Sequence, residues 1–565
     1  MGVKNKRTLE PILGNNAKSG HPDDLYTQLN RWIEPKLNLV FWLSMALTIL
    51  LGIFFFDPKV SLGGDDSMYI NRAFSFINQG KFPTFQGPLY PILLGMVIYI
   101  AGLKLILLKS LSLLFLAGHL WFYFKAFKRH LSPFLLAVML IILSTNYSLL
   151  YMGSSTYTEP LYLLFQSLFI YLFDKNIIAN NTSIDDWRRY AGKIVMLAGL
   201  AFLMSITRSI GLTVPIAAIA FLVLQVILQK NKKVYLLIAG IFLGAFLVFH
   251  FSFELAKKEV WGVTKAQTSG QMKKLFYKNY YKEQAGTENF DGYVKRVKDN
   301  SVSYIGHHFY SIFGLTYSDK RPSTSLPTLL IYALLIAGFF LTIKKDPFWT
   351  LIILYIGAGL GVTFVLLQTF WAQERLILVF TPLLMAVLLH TLHLIFYEHT
   401  TKLKFISVLF PLIILATNTV KTASKAPETA TSIQHYMRGD LLYGFSQDWI
   451  NYLAMAKWSA AQLPGNTYVA CRKPGMAFIY AGGKEFYGIW RVPPDEPKEL
   501  YDRLKNAGVT HIIMAHLLVN PEKSQTRTIN TVRRYLSIIN KAYPGKLKVV
   551  HKIGDKWPAY LYEIQ

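Results

Sequence analysis

Residues 38–69 read "NLVFWLSMALTILLGIFFFDPKVSLGGDDSMY", an apolar run from 38 to 56, a short turn-rich stretch and then two adjacent carboxylates, Asp65 and Asp66. A helix crosses the hydrocarbon core with about 20 apolar residues, so the run predicts a membrane span. A charged side chain at bilayer depth costs about 2.5 to 3.5 kcal/mol on insertion scales, so two carboxylates just beyond a span call for a partner or a function. About six Lys and Arg precede the run, which predicts a cytoplasmic segment 1–37 and puts "GGDDSMY" on the far side. That N-terminal segment lacks the apolar core of a signal peptide, so the first run reads as a retained span.

The remaining chain repeats the pattern. Of its 565 residues 53% are hydrophobic and only 16% charged, and the apolar residues come in blocks of spanning length. Spans are expected near 38–56, 104–124, 132–150, 158–173, 193–207, 210–229, 233–255, 326–343, 347–370, 375–397 and 404–420, about eleven in all. The apolar stretch within the first outer loop, 57–103, is short and starts at a Pro-rich turn. Counting it as a span would turn the basic "KAFKRH" outward, so it is read as interfacial or half-inserted helix. The net charge of +27 is scattered over short loops between spans, where it sets orientation, and argues against a nucleic-acid partner.

A long outer loop, 256–325, follows span seven, and the membrane part ends near 424. From 425 to 565 short strand-like runs ("NTYVACR", "THIIMAH", "KLKVVHKI", "AYLYEIQ") alternate with helical stretches, which predicts a soluble α/β domain on the extracytoplasmic side. Its Cys471 is the only cysteine and forms no internal disulfide.

On this topology Asp65, Asp66, Glu159, Arg208 and Arg375 all fall at outer span ends. Arginine forks suit phosphate oxygens, and a carboxylate near a hydroxyl or amine suits general-base work. Each residue also has a structural reading: Asp65 and Asp66 as a turn or helix cap, Glu159 complementing a helix dipole, Arg208 as an interfacial anchor, and Arg375 paired with Glu374 or snorkelling to the surface. Adjacent His307 and His308 raise a metal, but neighbouring side chains diverge, and an interfacial helix lining a substrate groove fits that aromatic segment better. No metal-ligand spacing is present, no cofactor is expected, and a divalent metal stays open.

"GGDDSMY", "GPLYPILLG", "SSTYTEPLY", "TRSIGL" and "ERLILVFTPLLM" resemble, in order, the marks of the membrane-embedded GT-C glycosyltransferases. The nearest branch contains the protein O-mannosyltransferases, the aminoarabinose transferase of lipid A and bacterial relatives of unknown substrate. The resemblance covers the whole membrane part. It implies transfer of a sugar from a polyprenyl-phosphate carrier, with inversion, to a lipid, glycan or protein acceptor on the outer face of a membrane, most naturally the bacterial inner membrane. It implies Asp65 as catalytic base with Asp66 in the motif's second position, and Arg375 on the carrier phosphate; our reading adds Arg208 on the same phosphate and Glu159 ordering the acceptor or the base. The chain departs at Leu376, where an aromatic is common, and at Thr381 before Pro382. A transporter or flippase of lipid-linked sugars, or an oligosaccharide ligase, would share the spans and the arginines. A transporter would also carry repeats or broken helices.

Overall fold

The computed structural model describes residues 24–84, 86–179, 187–229, 231–264, 273–316, 324–371, 373–398, 403–520 and 524–565. Among these, nine stretches form helices long and apolar enough to cross a membrane. The chain starts with α1 (Leu25–Ile33), capped by Asp24 accepting from the Thr27 amide, and runs almost without interruption into α2 (Leu37–Phe54). After α2 the outer loop leads into α3 (Asp65–Gln79) and α4 (Leu89–Ala101). With 13 residues α4 reaches about 20 Å, too short to cross, and it packs against α3.

Span two is α5 (Leu105–Phe127). The expected third span is a bent pair, α6 (Pro133–Thr145) and α7 (Tyr147–Gly153), which meet at 53°. Asn146 causes the break. Its backbone is extended, its carboxamide oxygen caps α7 at the Leu149 amide, and its NH2 donates to Ile312 O and Asn418 Oδ1. Then follow α8 (Glu159–Phe173), α9 (Trp187–Thr207), α10 (Thr213–Leu228) and α11 (Lys232–Trp261). Helices Leu326–Thr342, Pro347–Leu366 and Thr381–His393 continue the bundle, the last extended by a widened turn so that helix runs over Thr381–Glu398.

The last expected span differs from its sequence reading. Apolar composition ends near 420, but the helix Ile406–Met437 runs on past it and past the expected boundary at 425. Hydropathy marks where a helix stops being apolar. The following residues, with three Ala and two Lys among them, sustain helix even with Pro427 inside.

The C-terminal part has a five-stranded mixed sheet in the order β2-β1-β3-β7-β6. Strands β1 (Val469–Cys471), β2 (Phe486–Gly488) and β3 (His511–Ala515) are parallel, while β7 (Ala559–Ile564) runs antiparallel between β3 and β6 (Leu547–Ile553). A hairpin of β4 (Leu518–Asn520) and β5 (Ser524–Thr528) stands apart. Helices Gln447–Gln462, Pro497–Asn506 and Thr531–Ala542 alternate with the strands, as expected. The short β2 and the seven-residue helix Pro474–Tyr480 have too few residues to show a period.

Candidate active site

The segment between α2 and α3 is anchored from below. Lys109, buried in α5, donates to the carbonyls of Asp57 and Lys59. The chain then passes through Gly64, in a left-handed conformation at φ 89°, and opens α3 with both aspartates in its first turn, where carboxylates complement the helix dipole.

The two side chains part there. Asp66 is 1% exposed and accepts from the Ser61 amide (2.6 Å), the Ser61 hydroxyl (3.0 Å) and the Ser67 amide (2.8 Å). Burial pushes its carboxyl above the usual range, against those donors and the Lys109 charge. The Asp65 side chain is 33% exposed, lines a cavity and accepts from the Arg375 guanidinium.

Glu159 opens α8 and is buried against Arg208, with 2.6 Å between Oε1 and Nη1. Arg208 also donates to Thr158 Oγ1 at 2.9 Å. It reaches them because α9 ends at Thr207 and the Arg208 backbone is extended before a tight turn, Ser209–Leu212. Gly87, before α4, abuts that helix end so closely that a Cβ would lie 2.0 Å from Thr207 O. Arg375 stands over the Tyr157 ring at 4.9 Å, and Tyr157 in turn hydrogen-bonds the Ser61 hydroxyl at 2.8 Å. Glu374 pairs elsewhere, accepting from Ser311 (2.6 Å) and Ser148 (3.3 Å) with Lys421 at 3.9 Å.

Asp65, Glu159, Arg208 and Arg375 therefore share the wall of one cavity of about 1390 Å³, and Asp66 stands behind it. The cavity has two kinds of wall. One includes Leu212, Ile216 and Val362, apolar side chains 36%, 57% and 37% exposed, together with Lys257, Tyr280 and Trp371. The other is formed by Asp57, Lys59, Tyr147, Tyr151 and, from the polar end of helix Ile406–Met437, Glu428, Ser432 and Tyr436. Three site residues carried no charge signal in the sequence: Tyr69, whose hydroxyl is pushed up to about 12 by burial and by Glu159, its partner Gln86, and Tyr157. Tyr69 and Tyr157 lie inside motifs already notable for other residues.

His307 and His308 correct the groove-lining expectation. They belong to a widened helical stretch, Ser301–His308, with His307 buried, and neither lines the cavity. Among the described residues no three His, Cys, Asp or Glu side chains cluster so as to hold a metal ion.

No known protein family matches the chain, and no curated protein does. Solved structures do. The apo oligosaccharyltransferase of Archaeoglobus fulgidus aligns with a TM-score of 0.51 over 85% of this chain and 69% of its own, at 10% identity. The same enzyme in complex with Zn and sulfate gives 0.50 over 92% and 72%, at 9%. The fold is GT-C. ArnT from Cupriavidus metallidurans, bound to undecaprenyl phosphate, is also similar, over 92% of this chain and 97% of its own at 13% identity, with a TM-score of 0.49. At such identities the GT-C likeness establishes the architecture and leaves the chemistry to the chain's own residues.

Proposed function

We propose that this chain is a membrane glycosyltransferase that moves a sugar from a polyprenyl-phosphate carrier to an acceptor, a lipid, glycan or protein, on the extracytoplasmic face of a bacterial inner membrane. The observation that carries the reading is the convergence of Asp65, Glu159, Arg208 and Arg375, from four distant parts of the chain, on one cavity. The apolar wall suits a prenyl chain and the polar wall an acceptor from water. The solved neighbours with TM-scores of 0.51 and 0.50 are structures of an oligosaccharyltransferase, which agrees with glycosyl transfer.

In this mechanism Arg375 and Arg208 hold the carrier phosphate. A phosphate arriving at Arg375 competes with Asp65 for the same guanidinium and frees the carboxylate, which makes donor binding the first step. Asp65 then takes the acceptor proton. The acceptor oxygen or nitrogen bonds to the anomeric carbon from the face opposite the phosphate, the carbon–oxygen bond to the phosphate breaks, and polyprenyl phosphate leaves with the configuration inverted. Asp66 shapes the loop, and Glu159 orders Arg208. A divalent cation on Asp65 or Glu159 would share the carboxylate with the arginine each already pairs with, so the assay is run with and without chelator.

The test is to supply purified protein with a panel of radiolabelled polyprenyl-phosphate sugars and follow label leaving the lipid phase. Transfer from one of them supports the reading. Label moved across the bilayer with its lipid intact would mark a flippase, and turnover of pyrophosphate-linked oligosaccharides alone would mark a ligase.

A further inference from the structure

The C-terminal domain touches the catalytic loop through a lysine that the proposed chemistry does not use. Lys473 follows β1, and its Nζ donates to Leu62 O at 2.8 Å and Gly63 O at 3.2 Å, the carbonyls that lead into Asp65. Its own backbone is fixed on both sides by one hydroxyl. Tyr452 OH donates to the Lys473 carbonyl (3.0 Å) and accepts from the Lys473 amide (3.1 Å). The Tyr452 side chain is itself buried in helix Gln447–Gln462.

The contact extends beyond one side chain. Helix Pro474–Tyr480 lies against the first turns of α3, so close that a Cβ on Gly475 would stand 2.9 Å from the Ser67 hydroxyl. Phe478 meets Phe74 edge to face at 5.0 Å, and Gln79 donates to Glu485 at 2.6 Å. The loop is thus held by two lysines that each donate to two backbone carbonyls: Lys109 from the bundle at residues 57 and 59, and Lys473 from the outer domain at 62 and 63.

We infer that Lys473 is a positioning residue for the transfer reaction, and that the C-terminal domain acts in catalysis by clamping the loop that aims Asp65 into the cavity. The inference rests on Asp65 being the base. A charge-assisted bond to a carbonyl holds the backbone more firmly than a neutral one. A reacting group displaced by about 1 Å can cost about 100-fold in rate, so a clamp on the carbonyls two and three residues before Asp65 is enough to matter. The lysine also has a titration signature. Burial, with Arg472 beside it, pushes its ammonium down to about 8, while Asp65 and Asp66, the acidic groups facing it across the contact, pull the other way.

The experiment compares full-length wild type, Lys473→Met and Lys473→Arg in lipid nanodiscs with two independent readouts. Hydrogen exchange over residues 60–68 needs no substrate. Lys473→Met should speed exchange there by about ten-fold, the scale of one lost charge-assisted bond, with Lys473→Arg near wild type. In the transfer assay Lys473→Met should lower kcat by roughly 10- to 100-fold while donor KM stays within about two-fold, and Lys473→Arg should restore most of it. Wild-type kcat should fall as pH rises through about 8, as the ammonium loses its charge, whereas Lys473→Arg should hold to higher pH. Unchanged exchange in Lys473→Met overturns the clamp whatever the activity. Faster exchange with unchanged kcat overturns its catalytic part. Faster exchange across the whole C-terminal domain, or no recovery with arginine, assigns Lys473 to domain stability and overturns positioning. Absence of transfer by wild type with every donor overturns the functional reading and leaves the exchange result standing by itself.

Discussion

With Asp65 as the base, Asp65→Asn keeps the shape of the side chain and removes its proton-accepting charge. Turnover should fall about 100- to 10,000-fold, equivalent to about 3 to 5 kcal/mol of barrier, while donor affinity holds or rises because Arg375 is no longer shared. Asp66→Asn should behave differently, because its carboxylate faces the Ser61 and Ser67 donors and not the cavity. Weakening those charge-assisted bonds should cost about 1.5 to 3 kcal/mol of local stability, visible as earlier thermal unfolding, with a smaller effect on turnover. Steady-state kinetics and melting of the two variants side by side check this, and a larger kinetic loss in Asp66→Asn would exchange their roles. Arg375→Ala should weaken donor binding roughly ten- to a hundred-fold, with partial recovery in Arg375→Lys, which keeps charge and loses the fork. Titration with the polyprenyl-phosphate carrier measures it directly, and equal affinity in Arg375→Ala would remove Arg375 from the phosphate.

Among the elements, the approach of the loop before α4 to the end of α9 controls where Arg208 points. At Gly87 no side chain fits, since Thr207 O and Ile206 O would stand 2.0 and 2.4 Å from its Cβ. Gly87→Val must move backbone against backbone, which core overpacking prices at about 1 to 3 kcal/mol or more. It should lower thermal stability and, by shifting Thr207 and Arg208 together, weaken donor binding as well. A variant with wild-type melting and wild-type donor affinity would show that the two segments separate freely. The long helix Ile406–Met437 does comparable work at another part of the cavity wall. By continuing as polar helix after its apolar part it carries Ser432 and Tyr436 to the cavity, where a chain that turned off at 420 would leave that side open.

For the whole molecule, orientation can be tested through the C-terminal domain. Cys471 is fully buried in β1, so it serves as a silent background. Asn506, exposed at the end of helix Pro497–Asn506, is a suitable reporter. Asn506→Cys should react with an impermeant maleimide on intact cells, and reaction only after lysis would invert the proposed topology. The membrane architecture was open to sequence reading because burial in hydrocarbon is a local demand. Each span must satisfy its own backbone and present apolar side chains, so spans one and six show as runs without a charged residue. The four strands read from 466 to 565 were legible for a similar reason, as β-rich runs bounded by turns.

What the sequence determined by itself was a polytopic helical bundle, the α/β domain after it and the charged residues that could meet at one end. These follow from composition and spacing along the chain. What only the tertiary structure decided was which neighbour of an identical pair faces the cavity, that Glu374 serves Ser311 and Lys421 instead of Arg375, that helix outlasts hydropathy beyond 420, and that Lys473 reaches Leu62 and Gly63. Each depends on partners tens to hundreds of residues away, or on a helix turning successive side chains by about 100° so that adjacent aspartates diverge. A linear pattern holds no record of such distances, because the hydrogen bonds and ion pairs that fix them form only when the chain is folded.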